Sequence, residues 1–148
     1  MKKHIHAISG ALALLTILSF WTATVTVELF GDIGQVVAVK QAIAYGLAVL
    51  IPMMAIAGAS GASLGAKWKS PVVKRKMTRM KVIAATGILV LAPAAIFLAM
   101  KAGQGDFDTA FVIVQGIELV AGAANIALLG LNMRDGMAMR RRPVARPA

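Results

Sequence analysis

Lys67-Trp68-Lys69-Ser70-Pro71-Val72-Val73-Lys74-Arg75-Lys76-Met77-Thr78-Arg79-Met80-Lys81 places seven cations between two apolar halves of a 148-residue chain. Two smaller clusters stand at the ends: Lys2 and Lys3, then Arg134, Arg140, Arg141, Arg142 and Arg146. The connections between the clusters are acidic. One is Phe30-Gly31-Asp32-Ile33-Gly34, and the other is Gly103-Gln104-Gly105-Asp106-Phe107-Asp108. Short loops rich in Lys and Arg stay on the cytoplasmic side of a bilayer. The N-terminus, the middle loop and the C-terminal tail are therefore expected in the cytoplasm, with two hairpins directed outward.

Composition agrees. With 59% hydrophobic residues, 15% charged residues and a mean hydropathy of +0.78, the chain is too apolar for an ordinary soluble domain. A net charge of +10 raises the question of nucleic acid. The basic residues sit at the ends of apolar spans, so topology control and contact with anionic lipid headgroups explain them better, and no nucleic-acid partner is expected. The absence of Cys excludes disulfides, thiolate metal sites and a cysteine nucleophile.

Four spans are expected, over about 5–30, 36–64, 82–102 and 109–133, each at or above the ~20 residues needed to cross the hydrocarbon core. Unpaired sheet edges are not tolerated in lipid, so the spans must be helices. Tight connections after Phe30 and Ala102 make sequential helices antiparallel neighbours. The expected fold is all-α: a single integral membrane four-helix bundle with a basic cytoplasmic loop at 65–81 and a disordered basic tail at 134–148. The expected location is a bacterial-type inner membrane. The head of the first span also resembles a cleavable signal peptide, but its apolar run continues to Phe30 and Trp21 interrupts the small residues a cleavage site needs. Retention of that span is expected.

Within the spans, Pro52 and Pro93 each remove a backbone donor and can kink their helix. Gly58, Gly61 and Gly65, with Ala62, form a small-residue face that lets another helix approach closely, either the third helix or a second subunit. The most informative residue is Glu118. Counted from Asp108 at ~1.5 Å per residue, it lies ~15 Å deep, near the middle of a ~30 Å core. At 100° per residue, Gln115, Glu118, Gly122, Asn125 and Asn132 share one stripe of the last helix, which should face inward. Tyr45, Ser19 and Thr22 are at similar depth and are expected as cross-bundle partners. Glu28 and Lys40 flank the first hairpin and are expected either to form an ion pair or, for Lys40, to snorkel to the outer headgroups. Lys101 reads as a helix-end anchor. Gly31-Asp32 precedes Gln41 and Ile43 at the offsets at which Gly105-Asp106 precedes Gln115 and Ile117, a weak echo of two hairpin repeats that would bring Gln41 and Gln115 face to face.

His6-Ala7-Ile8-Ser9-Gly10 resembles the start of the first membrane helix in cytochrome b-type anchor subunits of succinate dehydrogenase, over five of the 148 residues. The resemblance implies a haem b or quinone contact at His6 and Ser9. In that family the haem ligands are histidines deeper in the helices, and here the later helices have none. Interfacial histidines without a ligand are the simpler reading, and no cofactor is expected. The nine methionines are scattered and read as packing residues rather than metal ligands. In length and helix number the chain is similar to small multidrug transporters, but their essential Glu lies in the first helix, whereas here the midplane Glu is in the fourth. No catalytic constellation is present, so enzyme activity is not expected.

These residues point to a non-enzymatic multi-pass membrane protein, a homo-oligomer or a subunit of a larger complex. The expected function is movement of a proton or small solute along a seam of Gln115, Glu118, Asn125 and Tyr45. The alternatives are an electron-transfer or quinone-site anchor using His6, and a structural subunit of a membrane complex.

Overall fold

A computed structural model describes residues 2–65 and 70–141. Lys67, Trp68, Lys69, Arg142 and Arg146 of the basic clusters lie outside these. The described chain forms four long helices: α1 (Lys2–Phe30), α2 (Ile33–Gly65), α3 (Pro71–Gly103) and α4 (Thr109–Arg141). All four are long and apolar enough to cross a membrane, with mean hydropathies of 1.8 to 2.5 over their most apolar windows. The large apolar side chains Ile8, Leu15, Leu29, Val49, Leu89, Val112 and Val120 point outward, as lipid-facing positions would.

Two carboxylates set where helices begin. Asp32 caps α2: its Oδ1 accepts the Gln35 N–H at 2.8 Å, and Gln35 Oε1 accepts the Asp32 N–H at 3.1 Å, a reciprocal capping box. Asp108 caps α4 by accepting the Phe111 N–H at 2.9 Å. Lys101 donates to both Asp106 and Asp108, so it closes the second loop rather than merely anchoring a helix end. That hydrogen bond from Lys101, with the one from Phe111, holds the Asp108 carboxyl below the usual carboxylate range. Gly105 turns this loop at φ +70°, a conformation that disfavours any Cβ. The caps also test the sequence echo. Gln41 lies nine residues past its cap and Gln115 seven past its own, so the two glutamines are out of register. Gln41 donates instead to the Ala99 carbonyl of α3 at 2.8 Å.

Pro93 has the local effect expected of it. It offers no N–H to the carbonyl one turn back, and α3 widens into a π-helical segment over Gly87–Leu91, where the Ala92 N–H bonds to the Gly87 carbonyl five residues earlier. Helicity extends further than anticipated at both basic ends. Residues 71–81 continue α3 and 134–141 continue α4, although both stretches were expected as loop or tail. The reason is a buried anchor, Asp135, which accepts from Arg79 at 2.8 Å and from Arg75 at 3.1 Å and so ties the two helix ends together.

Small residues decide how α1 and α2 meet. A Cβ at Gly46 would overlap the Phe20 ring, and one at Gly61 would lie 2.9 Å from His6 Cε1. Gly65 faces Val73 and Met77 of α3, whereas Gly58 has open space around its Cα. The small face of α2 thus receives side chains from both α1 and α3. Gly46→Ala is expected to destabilise the protein by about 1–3 kcal/mol through overpacking. Gly58→Ala should stay within about 0.5 kcal/mol of wild type. Thermal unfolding in detergent checks both, and equal midpoints for the two variants would contradict the packing.

Candidate functional site

The interior face of α4 is a single stripe. Its buried positions are Phe111, Gln115, Gly122, Asn125, Leu129, Asn132 and Asp135, with Glu118 at the same face and 13% exposed. Steps of three and four residues keep these side chains on one side of a helix of 3.6 residues per turn. The three carboxamides and carboxylates before Asn132, Gln115, Glu118 and Asn125, therefore all face the protein interior, and the question at each is which group it meets.

Glu118 meets Lys40. The Lys40 ammonium, 1% exposed, donates to Glu118 Oε2 at 2.8 Å. Lys40 sits roughly 11 Å along α2 from its start and Glu118 roughly 14 Å along α4, so the two charges reach the same level of the bundle. This corrects two expectations. Glu28 is exposed and Lys40 neither pairs with it nor snorkels outward. Tyr45, 77% exposed, points away from the seam because it lies on the outer face of α2. Ser19 and Thr22 are likewise exposed, and the buried hydroxyl on this part of α1 is Thr24.

Thr24 and Glu118 line a cavity of about 50 Å³ together with Trp21, Leu91, Ala95 and Gly122. That is space for a water molecule, and Thr24 and Glu118 supply polar partners for one. The cavity owes its walls to two local features. Leu91 ends the π-helical segment ahead of Pro93, and Gly122 leaves room for the Trp21 ring, whose Cδ1 would lie 3.0 Å from a Cβ there. Trp21 Nε1 donates to the Leu119 carbonyl at 2.9 Å, which pins α1 to α4 beside Glu118. Comparison with protein-family models, curated proteins and solved structures gives no match. The chemistry of the site is accordingly argued from its geometry.

Along the stripe, several buried polar atoms have no partner among the described residues: both ends of the Gln115 amide and the oxygens of Asn125 and Asn132. Asn125, 0% exposed, donates only weakly, to the Ile83 carbonyl at 3.3 Å. Burying an amide atom unpaired costs roughly 1–3 kcal/mol. Apolar clusters flank Glu118 along the stripe. Val36, Leu98, Ala102 and Phe111 cover it beside Gln115, and Ile17, Ile83 and Leu129 fill the space between Asn125 and Asn132. The site combines one buried ion pair, one small and partly open cavity beside Glu118, and under-bonded amides above and below it on the same stripe.

The histidine of the sequence motif lies elsewhere. His6 Nδ1 donates to the Ala57 carbonyl of α2 at 2.9 Å, which leaves the lone pair of the neutral ring on Nε2. Ser9 is buried and bonds within its own helix to the Ile5 carbonyl at 2.7 Å. His6 thus serves the α1–α2 contact, and Ser9 bonds within α1.

Sequence reading placed Lys40 and Glu118 in the bilayer but did not join them. The missing signal was available: buried ionisable residues in membranes pair with one another, and equal depth counted from the two capped loops matches them. Asp135 was missed altogether because its basic neighbours concealed one carboxylate. Removing one member of the buried pair, by Lys40→Met or Glu118→Gln, is expected to cost about 3–5 kcal/mol. The double variant Lys40→Met/Glu118→Leu should recover most of that loss, and Tyr45→Phe should change nothing. Unfolding midpoints in detergent measure the cycle, and additive losses in the double variant would show that the pair does not exist.

Proposed function

We propose that the protein is a multi-pass membrane carrier that moves a proton, alone or with a small solute, through the Lys40–Glu118 site. The observation that carries this reading is the combination of a buried ion pair with unsatisfied amides on the same stripe. Amides that only join helices are bonded to the neighbouring helix, and Gln115 is bonded to nothing among the described residues. Polar atoms left in this way are suited to water or to a passing polar ligand.

In the paired state Lys40 and Glu118 are neutral as a unit. A proton added to Glu118 removes the negative charge and leaves Lys40 as an uncompensated buried cation, an unfavourable state that loss of the proton relieves. The cavity beside Glu118 and Thr24 provides the position from which a water molecule delivers or accepts that proton. Net movement requires that the site open to one side at a time, so that one apolar cluster parts while the other holds. The π-helical segment ahead of Pro93 is where α3 bends most readily.

The same reading includes two outward hairpins, with the Asp32 and Asp106–Asp108 loops outside and both chain ends in the cytoplasm of a bacterial-type inner membrane. Because the chain has no Cys, single cysteines report this directly. Gln104→Cys in intact cells should react with a membrane-impermeant maleimide, and Lys74→Cys should react only after the membrane is opened. The reverse labelling pattern would overturn the orientation.

Function is tested in vesicles containing a pH-sensitive dye. Wild-type protein should carry protons down an imposed gradient, and Glu118→Gln should reduce the rate to that of empty vesicles. The Lys40→Met/Glu118→Leu variant, which keeps the bundle folded, should be equally inactive. Wild-type rates in either variant would remove Glu118 from the path.

A further inference from the structure

At the end of the bundle opposite the Asp106–Asp108 loop, four cations converge on one carboxylate. Asp135 is buried at 8% exposure, and its Oδ2 accepts from both Arg79 and Arg75, while Arg134 Nε lies 3.9 Å from its Oδ1. Lys76 Nζ rests against the α4 backbone, 3.0 Å from where a Cβ on Gly136 would stand. Asn132 donates to the Lys76 carbonyl at 3.5 Å, so the same turn of α4 holds the α3 main chain. Four positive groups against one negative leave an excess of three positive charges in the α3–α4 cleft. The carboxylate is inside and the cations fan outward from it, with Arg75 56% and Arg134 70% exposed.

We propose that this cleft binds the phosphate of an anionic phospholipid, with Arg75 and Arg134 as the contacting residues and Asp135 and Arg79 as the groups that position them. Guanidinium groups match phosphate oxygens in geometry and charge, and one already fixed by a carboxylate loses less freedom on binding. The level is that of lipid headgroups. The 33 residues of α3 make a helix of roughly 50 Å, well beyond a ~30 Å core, so its first turns pass through the headgroup layer. Beside Arg134, the exposed Met133 and Met137 lie one turn apart on α4 and give an apolar surface continuous with the lipid-facing side. A soluble phosphate would make no use of them, whereas the glycerol and upper acyl chain of a lipid would cover them. Basic pockets between membrane helices are known to hold such headgroups. The inference rests on the membrane reading of the chain and is independent of proton movement.

The test uses the full chain in detergent, titrated with phosphatidylglycerol or with phosphatidylcholine of the same acyl chains, with bound lipid counted by native mass spectrometry. Wild type should retain phosphatidylglycerol in preference to phosphatidylcholine. Arg75→Gln/Arg134→Gln should weaken phosphatidylglycerol retention about ten-fold or more, since each interfacial cation contributes appreciably. Lys74→Gln/Lys81→Gln removes the same charge from exposed positions on α3 outside the Asp135 cluster and should change retention less than about three-fold. Asp135 keeps Arg79 in the first variant, and an unchanged unfolding midpoint will verify that it is folded. Equal losses in the two double variants, or no preference for phosphatidylglycerol in wild type, would overturn the site. Displacement of the lipid by equimolar inorganic phosphate would overturn the lipid in favour of a soluble anion.

Discussion

A salt bridge between Lys40 and Glu118 is the constraint around which the bundle is organised. Each charge alone in the middle of an apolar bundle would be strongly unfavourable, and together they are tolerated only if α2 and α4 are held at one depth and in one rotation. The 2.8 Å separation therefore says more than that two residues touch. It fixes the register of the two helices relative to their capped starts at Asp32 and Asp108. It also orients the α4 stripe inward, since rotating Glu118 away would expose Lys40 without a partner.

The remaining contacts bring α1 and α3 up to that pair. Trp21 reaches the Leu119 carbonyl across the bare Cα of Gly122, and Phe20 occupies the space that a side chain at Gly46 would fill. On the other side, Pro93 forces a wider helical turn whose last residue, Leu91, borders the cavity at Glu118. Apolar clusters lie to either side of it along the bundle. A buried ion pair beside a small, partly open cavity is more polarity than helix packing alone requires. The under-bonded amides of Gln115 and Asn125 are what distinguish it from a merely well-packed core.

Much of the fold was legible because its signals are strong and local. Four apolar runs bounded by basic and acidic connections specify four helices whatever their packing, and Pro93 announces a defect in α3. The inward stripe of α4 was equally legible, since Gln115, Glu118, Asn125 and Asn132 have nowhere else to go on a helix of 3.6 residues per turn. Partners across the bundle were not, because helical phase fixes direction only within one helix. Tyr45 and Lys40 are close in sequence, yet one faces outward and the other inward. Charge counting had the opposite weakness: by treating the cationic clusters as topology signals and lipid-headgroup contacts, it passed over Asp135, whose single carboxylate ties α3 and α4 together past the apolar spans. His6 shows the same limit, for the motif that contains it gave no sign that its ring nitrogen meets the Ala57 carbonyl across the α1–α2 contact.

Difference infrared spectroscopy of the protein in lipid vesicles, recorded as the pH on one side is lowered, tests most directly whether the buried carboxylate is the group that takes up a proton. The account predicts a carboxylic-acid C=O band that grows as the carboxylate band declines, shifts with ¹³C-labelled glutamate, and disappears in Glu118→Gln. A carboxylic-acid band that persists unchanged in that variant, or no such band over the range in which protons move, would contradict it.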